Sequence, residues 1–229
     1  MGETVIRAGA RALCAAILVL ATGCAGEDGR AAGQTRIEDY EQARKLFWRR
    51  LYDQGGETLY CGRKLTRGYN KGVNIEHVFP MAWVTNALDC GRRKQCRRTS
   101  DLFNRIEADL HNLYPARTEV NDARGAMSYG EIPGERHAVR GCDFEVDENR
   151  RVVEPRPAAR GEIARAMFYM RDAYGLVIFD RLGARLKQWH RQDPVSAHER
   201  QRNDVIEKIQ GTRNKYIDRP ELVDAIEFH

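Results

Sequence analysis

The stretch VNIEHVFPMAW, residues 73–83, sets an acid beside an imidazole inside an otherwise apolar run. The longer segment KGVNIEHVF alternates and is rich in β-branched residues, which predicts a strand that Pro80 closes. Neighbours on a regular strand point to opposite faces. Glu76 and His77 can therefore serve one site only where the strand bulges or ends. The plain alternative is a buried His77 hydrogen-bonded to a carbonyl, with Glu76 exposed.

Outward from this strand, helical periodicity dominates. TRIEDYEQARKLFWRRLYDQ (35–54) predicts a helix with Tyr40, Ala43, Phe47 and Leu51 at helical spacing and Thr35 with Glu38 as a capping box. GGETLYCG (55–62) reads as a turn and then a cysteine-bearing segment. SDLFNRIEADLHNLYP (100–115) predicts a helix capped by Ser100, with Leu102, Ile106, Leu110 and Leu113 on one stripe. In RGEIARAMFYMRDAYGL (160–176), Ile163, Met167, Met170 and Tyr174 mark a buried helix face, core rather than a cofactor box. DRLGARLKQWHRQDP (180–194) carries Phe179, Leu182, Leu186 and Trp189 around a further helix stopped by Pro194. HERQRNDVIEKIQG (198–211) predicts a last helix ending at Gly211. The fold class is α+β, helix-rich, in one domain over residues 35–229.

The N-terminus has a different character. Arg7 and Arg11 precede the apolar run LCAAILVLATGC, too short for a permanent bilayer span and laid out as an export leader over residues 1–23. LATGC resembles a lipobox, with Ala21 where leucine is usual, and makes Cys24 the expected lipid-anchor residue. Simple cleavage and free secretion is the alternative. Residues 24–34 then form a small, polar tether. The chain is expected to be exported, periplasmic or extracellular, and held at a membrane.

Export decides how the cysteines read. Cys61, Cys90, Cys96 and Cys142 remain after the leader and anchor are set aside. An even number in an exported chain favours two disulfides, with three connectivities open, and no paired C-x2-C spacing supports zinc. The net charge of +5 becomes +4 without residues 1–23, a mild value, yet GRRKQCRR (91–98) gathers Arg92, Arg93, Lys94, Arg97 and Arg98. Arg63, Lys64, Arg67 and Lys71 form a looser group. Clustered cations suit a polyanion, although a charge run by itself is more often a solvated face.

Taken together, these stretches resemble the endonuclease I family, exported deoxyribonucleases of the ββα-metal (His-Me finger) class. NIEHVFPMAW is similar to its E-H-V-x-P-x-x-W signature. The likeness continues in order through YCG (60–62), RRKQC, ADLHNLYPARTEVNDARG (108–125), YGEIPG, GCDFEV, VVEPRPAARGEIARAMFYMRDAY and LKQWHRQDPV, then RNDVIEKIQGTRNKYID. It covers nearly all of the mature chain. The resemblance implies a ββα-metal core with His77 as general base and Glu76 and Asn121 as metal ligands. It further implies Arg93 as the phosphate-binding arginine, His111 and Asn112 as structural residues near the site, and Mg2+ as cofactor, with Mn2+ or Ca2+ as alternatives. A hard cation that keeps several waters needs few protein oxygens, so a carboxylate and an amide suffice.

The implied reaction is sequence-non-specific hydrolysis of DNA, with RNA a second candidate, to 5′-phosphate products by a monomer. A tethered extracellular DNA-binding protein without catalysis is the competing reading, and a phosphodiesterase for another exported ester a third. Pure binding would need only cations, so Glu76, His77 and Asn121 weigh toward cutting. The chain departs from the family at Arg63, where many relatives have a second cysteine, and it lacks their other cysteine between Lys64 and Glu76 and a C-terminal pair. Thr212 and Lys215 stand where Asn and Pro are usual. Loss of cysteines in pairs leaves Cys61–Cys142 and Cys90–Cys96 as the bridges the resemblance implies.

Overall fold

The computed structural model describes residues 1–2, 33–68, 70–134 and 136–228. Cys24, the tether up to Ala32 and all but the first two residues of the expected leader lie outside the described residues. Among the described residues, no helix is long and apolar enough to cross a membrane.

The chain runs through α1 (Tyr40–Leu46) and a π-helical turn (Phe47–Leu51), then the short strands β1 (Gly56–Glu57) and β2 (Lys64–Leu65). Next come β3 (Val73–His77), α2 (Met81–Ala87), α3 (Arg93–Thr99) and α4 (Asp101–Glu107). A 3-10 turn (Leu110–Asn112) leads into β4 (Leu113–Arg117) and α5 (Thr118–Arg124). The strands β5 (Ser128–Tyr129), β6 (Phe144–Asp147) and β7 (Val152–Pro155) precede α6 (Pro157–Tyr174), α7 (Asp180–Gln192), α8 (Ala197–Gln210) and α9 (Lys215–Asp218). A 3-10 turn, Pro220–Val223, follows.

The arrangement is a mixed α+β fold with small sheets. β3 and β4 pair antiparallel from Val73 opposite Arg117 to His77 opposite Leu113, and α5 packs back on both. This ββα unit carries α2, α3 and α4 as an insertion between its strands. β5 lies parallel and β6 antiparallel to the central β7.

The hairpin is buried on both faces, which explains its near-continuous apolar run. Ile75 and Leu113 point into a cluster with Ile37, Phe47 and Leu110. Tyr114 and Ala116 point into the larger core around α6. That helix is buried almost all round, with Ile163, Met167, Phe168 and Met170 fully covered, as a central helix must be. A Cβ on Gly161 would stand 2.0 Å from the Asp193 carbonyl oxygen, so only glycine lets the start of α6 approach the end of α7.

Several sequence expectations change. α1 starts at Tyr40, not Thr35, because Asp39 is the N-cap and accepts from the Gln42 amide. The segment 100–115 is not one helix. Ser100 does cap α4, but the chain leaves helical geometry at Asp109. The buried Asp109 carboxylate accepts from Tyr169 Oη, Tyr174 Oη, Gln210 Nε2 and the His111 amide at 2.6–2.9 Å. Four donors that converge on one side chain outweigh local helical propensity, and Leu113 becomes a strand residue. Leu102 and Phe179 are exposed, so neither belongs to the apolar stripes assigned to them. α8 is not the last helix; α9 and a 3-10 turn follow it.

Candidate active site

β3 continues to its last residue without a bulge, so Glu76 and His77 point to opposite faces of the hairpin. Both sit at the strand's end, and both are buried. The exposed Glu76 of the plain sequence reading is not found.

On one face, Tyr60 Oη donates to Glu76 Oε1 at 2.6 Å, and Arg124 Nη1 lies 3.1 Å from the same oxygen. The carboxylate and guanidinium are 3% and 1% exposed, so water does little to screen them. Arg124, the last residue of α5, donates to the carbonyls of His77 (3.1 Å) and Val78 (2.5 Å) and to Tyr129 Oη (2.8 Å). Tyr129 and Tyr60 share a hydrogen bond of 2.9 Å. Burial pushes the Glu76 carboxyl above the ordinary range, while Arg124 and the Tyr60 hydroxyl pull it back down.

On the other face, His77 Nε2 lies 3.0 Å from the Glu107 carbonyl oxygen. A carbonyl only accepts, so Nε2 carries the proton and Nδ1 keeps its lone pair. The imidazole is not held near its ordinary pKa. Burial first, and the Arg93 charge second, push it down to about 4, which keeps the ring neutral throughout the neutral range. Tyr40 packs on it with ring centroids 5.3 Å apart.

Asn121, on α5, donates from Nδ2 to Asn74 Oδ1 (2.9 Å) and to the Ile75 carbonyl (3.2 Å). Both donor hydrogens are used on β3, immediately before Glu76, so the amide's orientation is fixed and its oxygen is turned from these acceptors. A carboxylate oxygen and an amide oxygen on packed elements form a hard donor set that fits a divalent cation such as Mg2+. Separately, His137, Asp143 and Glu145 place donor atoms within 4.8 Å of one another near β6.

Arg93 opens α3, and its Nε donates to the buried Glu107 carboxylate. Arg97 donates to the same carboxylate at 2.7 and 2.9 Å. Both guanidiniums remain about 40% exposed and lie over the Tyr40 ring at 5.7 and 5.4 Å. The Cys90–Cys96 disulfide closes the loop that carries Arg93. Cys61–Cys142 ties the segment after β1 to the start of β6. His111 and Asn112 make structural contacts: His111 Nε2 reaches the Thr212 carbonyl at 3.1 Å, and Asn112 brackets both backbone groups of Phe79.

Sequence reasoning did not find Glu107, Tyr40, Tyr60, Arg124 or Tyr129. One signal was available for Arg124, which stands three residues after Asn121 and so shares its helix face. The others reach the site only through tertiary packing.

The Glu107 carboxyl is pushed up by burial but held below the ordinary carboxylate range by Arg97 and Arg93. Its contribution is thus full above the unfolded-state pKa and lost as pH falls through the lower folded value. Glu107→Gln should cost about 1–3 kcal/mol at neutral pH, since the half-exposed arginines it strands stay partly hydrated. Urea titrations across pH should show that gap shrinking below the ordinary glutamate range; a gap independent of pH would contradict the pairing.

The sequence model of the Endonuclease I family matches residues 33–221. An extracellular deoxyribonuclease of Aeromonas hydrophila is 32% identical, over 90% of this chain and 96% of its own. A periplasmic deoxyribonuclease of Aeromonas hydrophila is 33% identical, over 74% and 81%. An extracellular ribonuclease of Bacillus subtilis (strain 168) is 36% identical, over 73% and 60%. With an uninterrupted family match that takes in the hairpin, α5 and every residue of the network just described, the chain belongs to the endonuclease I family of nucleic-acid-hydrolysing enzymes.

Proposed function

We propose that the chain is an exported, Mg2+-dependent endonuclease that cleaves DNA without sequence selection, with RNA a second substrate. The observation that carries this is the orientation of His77. Its Nε2 is committed to the Glu107 carbonyl, which frees Nδ1 as a neutral base at the end of β3.

Glu76 and Asn121 would hold the cation, which supplies charge stabilisation at the scissile phosphate and the departing 3′ oxygen. His77 Nδ1 takes a proton from the water that attacks phosphorus. The P–O3′ bond breaks, the 3′ oxygen leaves to become a hydroxyl, and the product keeps a 5′-phosphate. Glu107 holds the imidazole so that its free nitrogen does not rotate away. Arg93, clamped through Nε, keeps its Nη donors for a phosphate oxygen. Contacts of this kind address the phosphate, not the base, which supports cleavage without sequence selection.

Relatives named extracellular or periplasmic support export, as does the leader-like N-terminus. Residues 1–23 would be the leader, Cys24 the lipidated residue, residues 24–34 the tether and 35–229 the nuclease domain, acting as a monomer. Cys24→Ser should move the protein from the membrane fraction to the soluble one. Wild-type protein already in the soluble fraction would reject the anchor.

Purified protein should nick plasmid with Mg2+ and fail in EDTA. His77→Ala should retain its fold and its Mn2+ affinity while nicking on the order of 10²–10⁴-fold more slowly, the usual share of a positioned base. Turnover near that of the wild type would reject His77 as the base. A drop in melting temperature with full activity in the folded fraction would make it a structural histidine.

A further inference from the structure

Beyond the hairpin site lies a cleft of about 1030 Å³ between α2, β5, β7 and the segment that leads into α7. It is at the upper end of the usual ligand-pocket range of roughly 300–1,000 Å³, and so suits an extended chain better than one small molecule. Val177 and Phe179 on its wall are 58% and 72% exposed, so two of the few large apolar side chains left in water among the described residues meet here. Trp83, half-buried and also lining the cleft, is a fixed ring: its Nε1 donates to the Ala126 carbonyl at 3.1 Å and it stands edge-to-face with Phe79 at 5.6 Å between centroids. An apolar patch of this kind normally marks a binding surface.

The charge at the rim narrows the occupant. Arg150, Arg181 and Arg185 line the cleft against a single acid, Glu131. Glu131 pairs with Arg185, and Arg150 stands 3.7 Å from Asp147. Arg181 is exposed and has no ion pair among the described residues. Flat apolar rings between cations match one polymer well, a single nucleic-acid strand, whose bases stack on aromatics while its phosphates meet arginines. A duplex hides its base faces and offers only phosphates and edges, so it gains little from Phe179 and Trp83.

The cleft also connects to the site. Tyr129 lines it, and the same residue's Oη is bonded to Arg124 and Tyr60, which hold Glu76. Phe79, two residues after His77, lines it as well.

We propose that this cleft is a single-strand subsite, which takes unpaired nucleotides of the substrate and stacks their bases on Phe179 and Trp83 with a phosphate at Arg181. The proposal rests on the nuclease reading for its substrate class, but not on His77 chemistry.

The test is binding in EDTA, where nothing is cut, with a fluorescein-labelled oligothymidylate and a hairpin duplex of the same length. The full chain carrying Phe179→Ala and Arg181→Ala should bind the oligothymidylate at least ~10-fold more weakly than the wild type, with a clearly smaller loss on the duplex. Bromodeoxyuridine in the oligonucleotide should photocrosslink to residues of the cleft. Hydrolysis of bis(p-nitrophenyl) phosphate, which needs only the hairpin site, should be unchanged in the variant. Unchanged oligothymidylate affinity would overturn the proposal. Equal losses on both probes would overturn the single-strand assignment, as would polyglutamate binding or self-association of the wild type that the variant loses. If the wild type cuts plasmid and the variant binds normally, the subsite fails and the reaction stands. If the wild type cuts nothing but crosslinks in the cleft, the reaction fails and the subsite stands.

Discussion

A single buried guanidinium organises the site. Arg124 faces the Glu76 carboxylate and holds the carbonyls of His77 and Val78, so it grips the strand's side chain and the backbone just beyond it. A carboxylate buried to this degree would ordinarily take up a proton or require a partner. Here the partner arrives from α5, the helix that also delivers Asn121. The ββα unit therefore does more than set elements side by side. Its helix supplies the counter-charge that allows an acid to stand in the interior at a strand's end, and the tyrosine pair Tyr60–Tyr129 closes the network around it.

The opposite face of the hairpin follows a parallel logic with different parts. Glu107 serves twice: its carbonyl fixes the His77 ring, and its carboxylate gathers Arg93 and Arg97. His77 and Arg93 are thus registered to each other through one residue at the end of α4. The Cys90–Cys96 bridge limits how far α3 can drift from that anchor. The two faces are separately built, Glu76 among Tyr60 and Arg124 and His77 among Glu107 and Tyr40, and both side chains sit at the end of a regular strand without a bulge.

Much of this was legible in the sequence, and the reasons for the failures are physical. The hairpin strand, the buried α6 and the Gly211 terminus of α8 depend on local pattern and caps, and they were readable. The break at Asp109 was not, because it depends on Tyr169, Tyr174 and Gln210, all distant in sequence. The exposure of Phe179 was missed for a related reason: apolar spacing reports which residues could be buried, not whether a neighbouring element covers them. At the site, motif likeness pointed to Glu76, His77, Asn121 and Arg93. The residues that orient them, Glu107 and Arg124 above all, carry no local signature, since their roles are set by backbone carbonyls and by charges across the fold.

The claim that Arg124 and Glu76 sustain each other is tested most directly by a double-mutant cycle on unfolding free energy, with Glu76→Gln, Arg124→Met and the pair. Losing one member of a buried pair typically costs about 3–5 kcal/mol, because the other is left uncompensated. The account predicts that each single variant is strongly destabilised and that the double variant loses clearly less than the two combined. Strictly additive losses would contradict it and would show that the two side chains are merely neighbours.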